Sequence, residues 1–166
     1  MNRTLVAYFS AIGATARLAA TLARAAGADL FEIRPARAYT GADLDWRDAK
    51  SRSSLEMKDA SARPAIAARV EDMARYDTVF VGFPIWWYQA PRIIETFLES
   101  YDFSGKTIVP FATSGGSGMG KTVEILAALT DETVNWVEGT RFSPSATAEE
   151  VAAWLTQKGV SPFVAE

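Results

Sequence analysis

Residues 79–98 read VFVGFPIWWYQAPRIIETFL. The first five form a continuous apolar run closed by Pro84, the pattern of a strand buried on both faces of a parallel sheet. Pro91 stands where a helix begins, and Ile93, Ile94, Phe97 and Leu98 supply that helix with an apolar face. The stretch is therefore a strand, a loop rich in aromatic rings and a helix.

The same unit recurs on either side. Upstream, residues 5–9 (LVAYF) read as a first strand, and residues 13–26 as a helix with Leu18 and Leu22 four apart and Gly27 placed to end it. Residues 29–34 (DLFEIR) are mixed in polarity, as an edge strand should be, and Ile66, Val70 and Met73 mark a second helix. Downstream, residues 107–112 (TIVPFA) form a fourth strand despite Pro110, which removes a ladder donor and predicts a bulge or incomplete pairing. A glycine-rich loop follows, then a helix carrying Val123, Leu126 and Leu129, and a weaker fifth strand over 133–137. Thr147 and Glu150 have capping-box spacing before a last helix bearing Val151, Trp154 and Leu155. Five strands alternating with five helices argue for a parallel α/β sheet covered by helices on both faces. Residues 40–63 interrupt the alternation: they are polar, lack clean periodicity, and exceed the about 12–15 residues usual for a structureless loop. Such a loop serves as a functional cover or is mobile.

Composition narrows the chemistry. The 166 residues suit one domain over 1–166, and the 49% hydrophobic and 22% charged residues supply a real core. Neither cysteine nor histidine is present, which excludes disulfides, thiolate nucleophiles, cysteine or histidine metal sites and imidazole relays. The first residues are too short an apolar run for a signal peptide, and no run approaches a membrane span, so a cytoplasmic chain is expected. The net charge of −3 gives no case for nucleic acid or an anionic membrane. Residues 1–83 carry 12 basic and 10 acidic side chains and residues 84–166 carry 5 and 10, a mild polarity that a solvated surface explains. Asp43, Asp45 and Asp48 lack the glycine and terminal glutamate of a calcium loop and read as solvated carboxylates.

Ligands of open α/β sheets bind beyond the carboxyl ends of the strands, where the strand order switches. Three loops here leave strands at that end. Ser10-Ala11-Ile12-Gly13-Ala14-Thr15 offers two hydroxyls, a glycine and a helix N-terminus, which suit a phosphate dianion but also an ordinary capped helix. In Pro84-Ile85-Trp86-Trp87-Tyr88 three consecutive rings cannot all enter one core, so at least one meets solvent, a partner or a flat ligand. Thr113-Ser114-Gly115-Gly116-Ser117-Gly118 lets the backbone approach a ligand and present amide donors. Residues 115–122 (GGSGMGKT) also match the phosphate loop of nucleoside triphosphatases in form. No later strand ends in the aspartate that magnesium needs, and only 44 residues follow Thr122, too few for the rest of such a sheet. If the strand order is 2-1-3-4-5, all three loops converge on one rim.

These loops, with DLDWRDAKSRSS at 43–54 and the whole of 81–118, resemble the flavodoxin-like family, in particular small bacterial flavodoxins with PIWW and TSGGSG loops. The resemblance implies a three-layer α/β sandwich on a five-stranded parallel sheet in the order 2-1-3-4-5, with noncovalent FMN at the switch point. It implies that Ser10, Gly13 and Thr15 hold the FMN phosphate. Trp86 or Trp87 would stack on the ring system, Pro84, Ile85 and Tyr88 would shape its edge, and residues 113–118 would line its pyrimidine side. The family's phosphate loop usually reads S-x-T-G-N-T, and here Ile12 and Ala14 replace the hydroxyl and the amide. FMN binding weaker than the family norm is expected, with backbone amides and Arg17 as compensating donors. The implied role is electron transfer between redox donor and acceptor proteins. The alternatives are an NAD(P)H-dependent FMN reductase of quinones or azo compounds, and a binding module of the same fold that has lost FMN.

Overall fold

The computed structural model describes residues 3–116 and 118–157. Its strands are β1 (Thr4–Tyr8), β2 (Asp29–Glu32), β3 (Thr78–Pro84), β4 (Thr107–Thr113), β5 (Asn135–Trp136) and β6 (Thr140–Phe142). Its helices are α1 (Ala14–Ala26), α2 (Arg52–Lys58), α3 (Arg92–Glu99), α4 (Thr122–Ala127) and α5 (Ala148–Gln157). Every strand pairing is parallel, in the order β2-β1-β3-β4-β5, and β6 pairs with β4 beyond the end of β5.

The continuous apolar runs are buried on both faces, as expected. Leu5, Ala7 and Phe9 join Val79, Val81 and Phe83 beneath Ile93, Ile94, Phe97 and Leu98 of α3. On the opposite face Val6, Phe80 and Phe111 pack against Leu18 and Leu22 of α1 and Val151, Trp154 and Leu155 of α5. Gly27 closes α1 in a left-handed conformation, its N–H donating back to Ala23 and Arg24. At the start of α5 the Glu150 N–H donates to the Thr147 hydroxyl at 3.2 Å, as the capping spacing predicts.

Pro110 sits in register opposite Val81, with no break on that side. Its ring nitrogen faces the other side, where Ile108 O accepts from Val137 and the Ser114 N–H donates to Phe142. There β4 pairs with β5 only through Thr107 and Ile108 and with β6 only from Phe111 onward. The missing donor therefore coincides with the gap between β5, which lies within the expected fifth strand at 133–137, and β6, a further short strand that was not expected.

Two expectations between β2 and β3 are corrected. Ile66, Val70 and Met73 do not form a helix. The chain there runs extended, Ala67 donating to Arg34 O and Ala36 to Ala65 O, and only Met73–Arg75 makes a turn of 3-10 helix. Ile66 and Val70 reach the core as single residues of a crossing segment. The helix lies instead inside the stretch read as structureless. Ser51 caps α2 by accepting from the Ser54 N–H at 3.3 Å, and the buried residues of α2 are Ser53 and Ser54. A helix that buries serines carries no apolar stripe, so hydrophobic periodicity misses it.

Candidate functional site

β1, β3 and β4 end on the same rim, and between their loops lies a cleft of about 450 Å³, within the range of about 300–1,000 Å³ for small-molecule sites. Among the described residues no ionisable side chain lines it.

The first wall is the loop into α1. Ser10 Oγ accepts from the Gly13 N–H at 3.0 Å, and Gly13 caps the helix at φ 102°. That conformation is open to glycine and strained for any residue with a Cβ. Gly13→Ala should cost about 1–2 kcal/mol, a fall in Tm of about 4 °C at 2–4 °C per kcal/mol. A thermal melt within 1 °C of the unchanged protein would show that the turn can be rebuilt. Thr15 is buried, its hydroxyl 2.8 Å from that of Thr113, so the first and third loops are tied through a hydroxyl pair. One of those hydroxyls donates to the other, which leaves a single hydrogen free for a ligand oxygen. Ile12 and Ala14 both line the cleft, with Ile12 85% exposed at its edge. Arg17 does not turn toward the cleft: its guanidinium donates to the carbonyls of Pro144 and Ala146.

The second wall is Pro84, Ile85 and Trp86, with Ile85 N donating to Thr113 O at 3.1 Å. Trp86 stands edge-on to Phe9 at 5.8 Å and to Tyr39 at 5.6 Å, an arrangement that favours aromatic pairs and fixes the indole plane. Tyr39 is itself clamped, donating to Glu56 beneath the Arg52 guanidinium, which sits 3.8 Å above its ring. Burial, then the Glu56 carboxylate, pushes the Tyr39 phenol well above its ordinary pKa, so it remains a neutral donor.

Trp87 and Tyr88 part company with Trp86. Trp86 and Gln89 exchange both backbone hydrogen bonds, at 2.9 and 3.0 Å, across a two-residue turn. Trp87 and Tyr88 occupy its centre at φ 49° and 63°, the primed turn that normally takes asparagine and glycine. Both side chains are thrown outward. Trp87 leaves the cleft for a neighbouring pocket, and Tyr88 lines neither. Gly120 supports the turn from below, where a Cβ would lie 2.9 Å from Tyr88 O.

The third wall is Thr113, Ser114 and Gly115. Gly116 and Gly118 have open space where a Cβ would be, but do not line the cleft, and Ser117 lies outside the described residues. The triphosphatase pattern has no matching geometry: the Thr122 hydroxyl donates to the carbonyls of Met119 and Tyr88, not toward a metal. Nor do the loop carboxylates gather. Asp43, Asp45 and Asp48 accept from backbone N–H groups of Thr40, Arg47 and Lys50, and no metal-holding cluster occurs among the described residues.

Trp46 and Pro144 also line the cleft, and neither was picked out from the sequence. Trp46 is 65% exposed, and the sequence offered only its place as the one tryptophan of an otherwise polar segment. Among the described residues no helix is long and apolar enough to cross a membrane.

Comparison with known proteins bears on this arrangement. No match is found among curated proteins. A candidate flavoprotein from Bacteroides eggerthii is 48% identical, with a TM-score of 0.89 over 96% of this chain and 99% of its own. One from Bacteroides uniformis is 49% identical, also with a TM-score of 0.89, over 93% of this chain and 98% of its own. A Lactobacillus acidophilus flavoprotein solved in complex with FMN shares the fold at 21% identity and a TM-score of 0.67, over 85% of this chain and 93% of its own. The family model for flavodoxin matches residues 3–158, a span that contains every strand and helix from β1 to α5. The chain belongs to the flavodoxin family.

Proposed function

We propose that the cleft holds FMN noncovalently and that the chain is an electron-transfer flavoprotein. The observation that carries the reading is the convergence, at the ends of β1, β3 and β4, of a hydroxyl-bearing helix start, a fixed indole and an open glycine backbone. The residues fit the group. Ser10 keeps its hydroxyl hydrogen for a phosphate oxygen, because its Oγ accepts from Gly13. The unpaired N–H groups of the first turn of α1 add donors and a positive dipole end. Trp86 offers a flat apolar wall, and Gly115 admits a ring edge where a Cβ would meet no atom within 4 Å. FMN bound there supplies the one- and two-electron redox chemistry that no side chain of this protein can.

Titration of the purified protein with FMN, followed by desalting, tests the reading. Retained visible flavin absorption, with Trp86→Ala weakening retention about tenfold, is the expected result. A colourless protein at all FMN concentrations would overturn it.

The reductase reading is favoured by one feature, an apolar pocket that shares Trp46 with the cleft. NADH or NADPH consumption by the FMN-loaded protein with a quinone present separates the two: turnover makes it an enzyme, and none leaves it a carrier between redox proteins.

A further inference from the structure

The neighbouring pocket has about 330 Å³ of space and lies between α2, the 40–51 segment and the Trp87 turn. Its walls are mostly apolar, with the indoles of Trp46 and Trp87 and the Met57 side chain. Its ionisable lining residues are Arg47 and Lys58, with no carboxylate among them. Neither cation forms an ion pair among the described residues. Arg47 sits 5.2 Å from the Trp46 ring, and the adjacent Asp45 carboxylate is engaged by the Arg47 backbone N–H.

The pocket is also built rather than incidental. The wall carrying Met57 and Lys58 is pinned by buried Arg92, which donates to the carbonyls of Glu56 at 3.2 Å and Met57 at 2.8 Å. Another wall is the turn that holds Trp87 at positive φ. A non-glycine residue is seldom kept there, and the conformation removes this indole from the cleft and gives it to the pocket.

From the two indoles that line it and the two cations without ion-pair partners among the described residues, we propose that this pocket is a binding site for a planar aromatic anion, a one- or two-ring system bearing a carboxylate or sulfonate. The ring lies between Trp46 and Trp87 and its charge meets Arg47 and Lys58. The volume stands at the small end of the range of about 300–1,000 Å³ and suits such a molecule rather than a dinucleotide. That the bound ring is a reactant of the flavin rests on FMN occupying the cleft, with Trp46 as the shared wall; the binding itself does not.

Calorimetric titration with naphthalene-2-sulfonate, and with 2-naphthol as the uncharged counterpart, tests the site on the protein with and without added FMN. The sulfonate is expected to bind more tightly than the naphthol and to weaken as salt is raised. The double substitution Arg47→Gln and Lys58→Gln should weaken the sulfonate about tenfold, two partly exposed charge contacts each giving about 0.5–1 kcal/mol. It should leave the naphthol within twofold, while Trp87→Ala weakens both ligands. Equal affinities for the two ligands, or a sulfonate affinity indifferent to the double substitution, would overturn the assignment. Sulfonate that competes with FMN would overturn it too, by placing the ligand in the cleft. Sulfonate binding that persists where FMN does not bind would defeat the flavin reading and leave this one standing.

Discussion

Arg92→Met is expected to lower the melting temperature by about 6–12 °C. Arg92 and Glu95 are both almost fully buried, and the guanidinium donates to the carboxylate at 2.6 Å. Removing one partner of a buried pair costs about 3–5 kcal/mol, because the remaining charge stays out of water. Arg63 still reaches Glu95 at 3.0 Å, which holds the loss near the lower end of that range. At roughly 2–4 °C per kcal/mol for a chain of this size, the stated range follows. The substitution should also be visible locally, since Arg92 carries the two bonds to the carbonyls at the end of α2. Hydrogen exchange over 52–58 should rise more than exchange over β3. Adding Glu95→Leu should recover part of the loss, as the uncompensated carboxylate disappears. A melting temperature within 2 °C of the unchanged protein would mean that Arg63 alone satisfies Glu95 and that α2 is held by other contacts.

That network explains why part of this molecule was legible in the sequence and part was not. The sheet announced itself because its strands are buried on both faces, and burial writes a continuous apolar run such as residues 79–83. The segment over 40–63 is held by different physics. Arg52, Glu56, Arg63, Arg92 and Glu95 fasten it through charge-assisted bonds, and the buried side chains of α2 are hydroxyls. Polar residues that pair with one another resemble solvated loop until their partners are known, and those partners lie about 30–40 residues away. The false helix at Ile66, Val70 and Met73 shows the converse error. Spacing fits a helix, but Ala67 gives its N–H to Arg34 O and Ala65 O accepts from Ala36 on the extended chain beyond β2, so a donor and an acceptor that a helix would use are taken.

The candidate site divides the same way. Convergence of the three loops followed from strand order, and the hydroxyl pair of Thr15 and Thr113 now gives that convergence a direct bond. Which tryptophan faces the cleft did not follow, because Trp86 and Trp87 are equivalent by composition. Backbone torsion separates them. Trp86 precedes the turn and is locked by Phe9 and Tyr39, whereas Trp87 sits inside it at positive φ and faces the other pocket.

If the loop into α1 holds the FMN phosphate as proposed, giving it the two polar side chains it lacks, as Ile12→Thr with Ala14→Asn, is expected to tighten FMN at least about a hundredfold. Each hydrogen bond to a charged group contributes about 1.5–3 kcal/mol, or about tenfold or more in affinity. Among the described residues the cleft has no cation in its lining, and the Arg17 guanidinium is engaged by the carbonyls of Pro144 and Ala146. A phosphate dianion there depends on Ser10, one free hydrogen of the Thr15 and Thr113 pair, and the amides of the helix start. Added donors should therefore register strongly, because few compete with them. Both positions line the cleft, and Ile12 is 85% exposed, so the exchange at 12 removes little buried apolar surface and should leave the melting temperature almost unchanged. Riboflavin, which lacks the phosphate, provides the internal control. Its affinity should stay within about twofold while that of FMN rises, because new donors act only on the charge. If both flavins tighten equally, the new side chains are ordering the loop and not contacting phosphate. If neither changes, the anion does not sit at the start of α1, and the cleft must hold its ligand by the Trp86 wall alone.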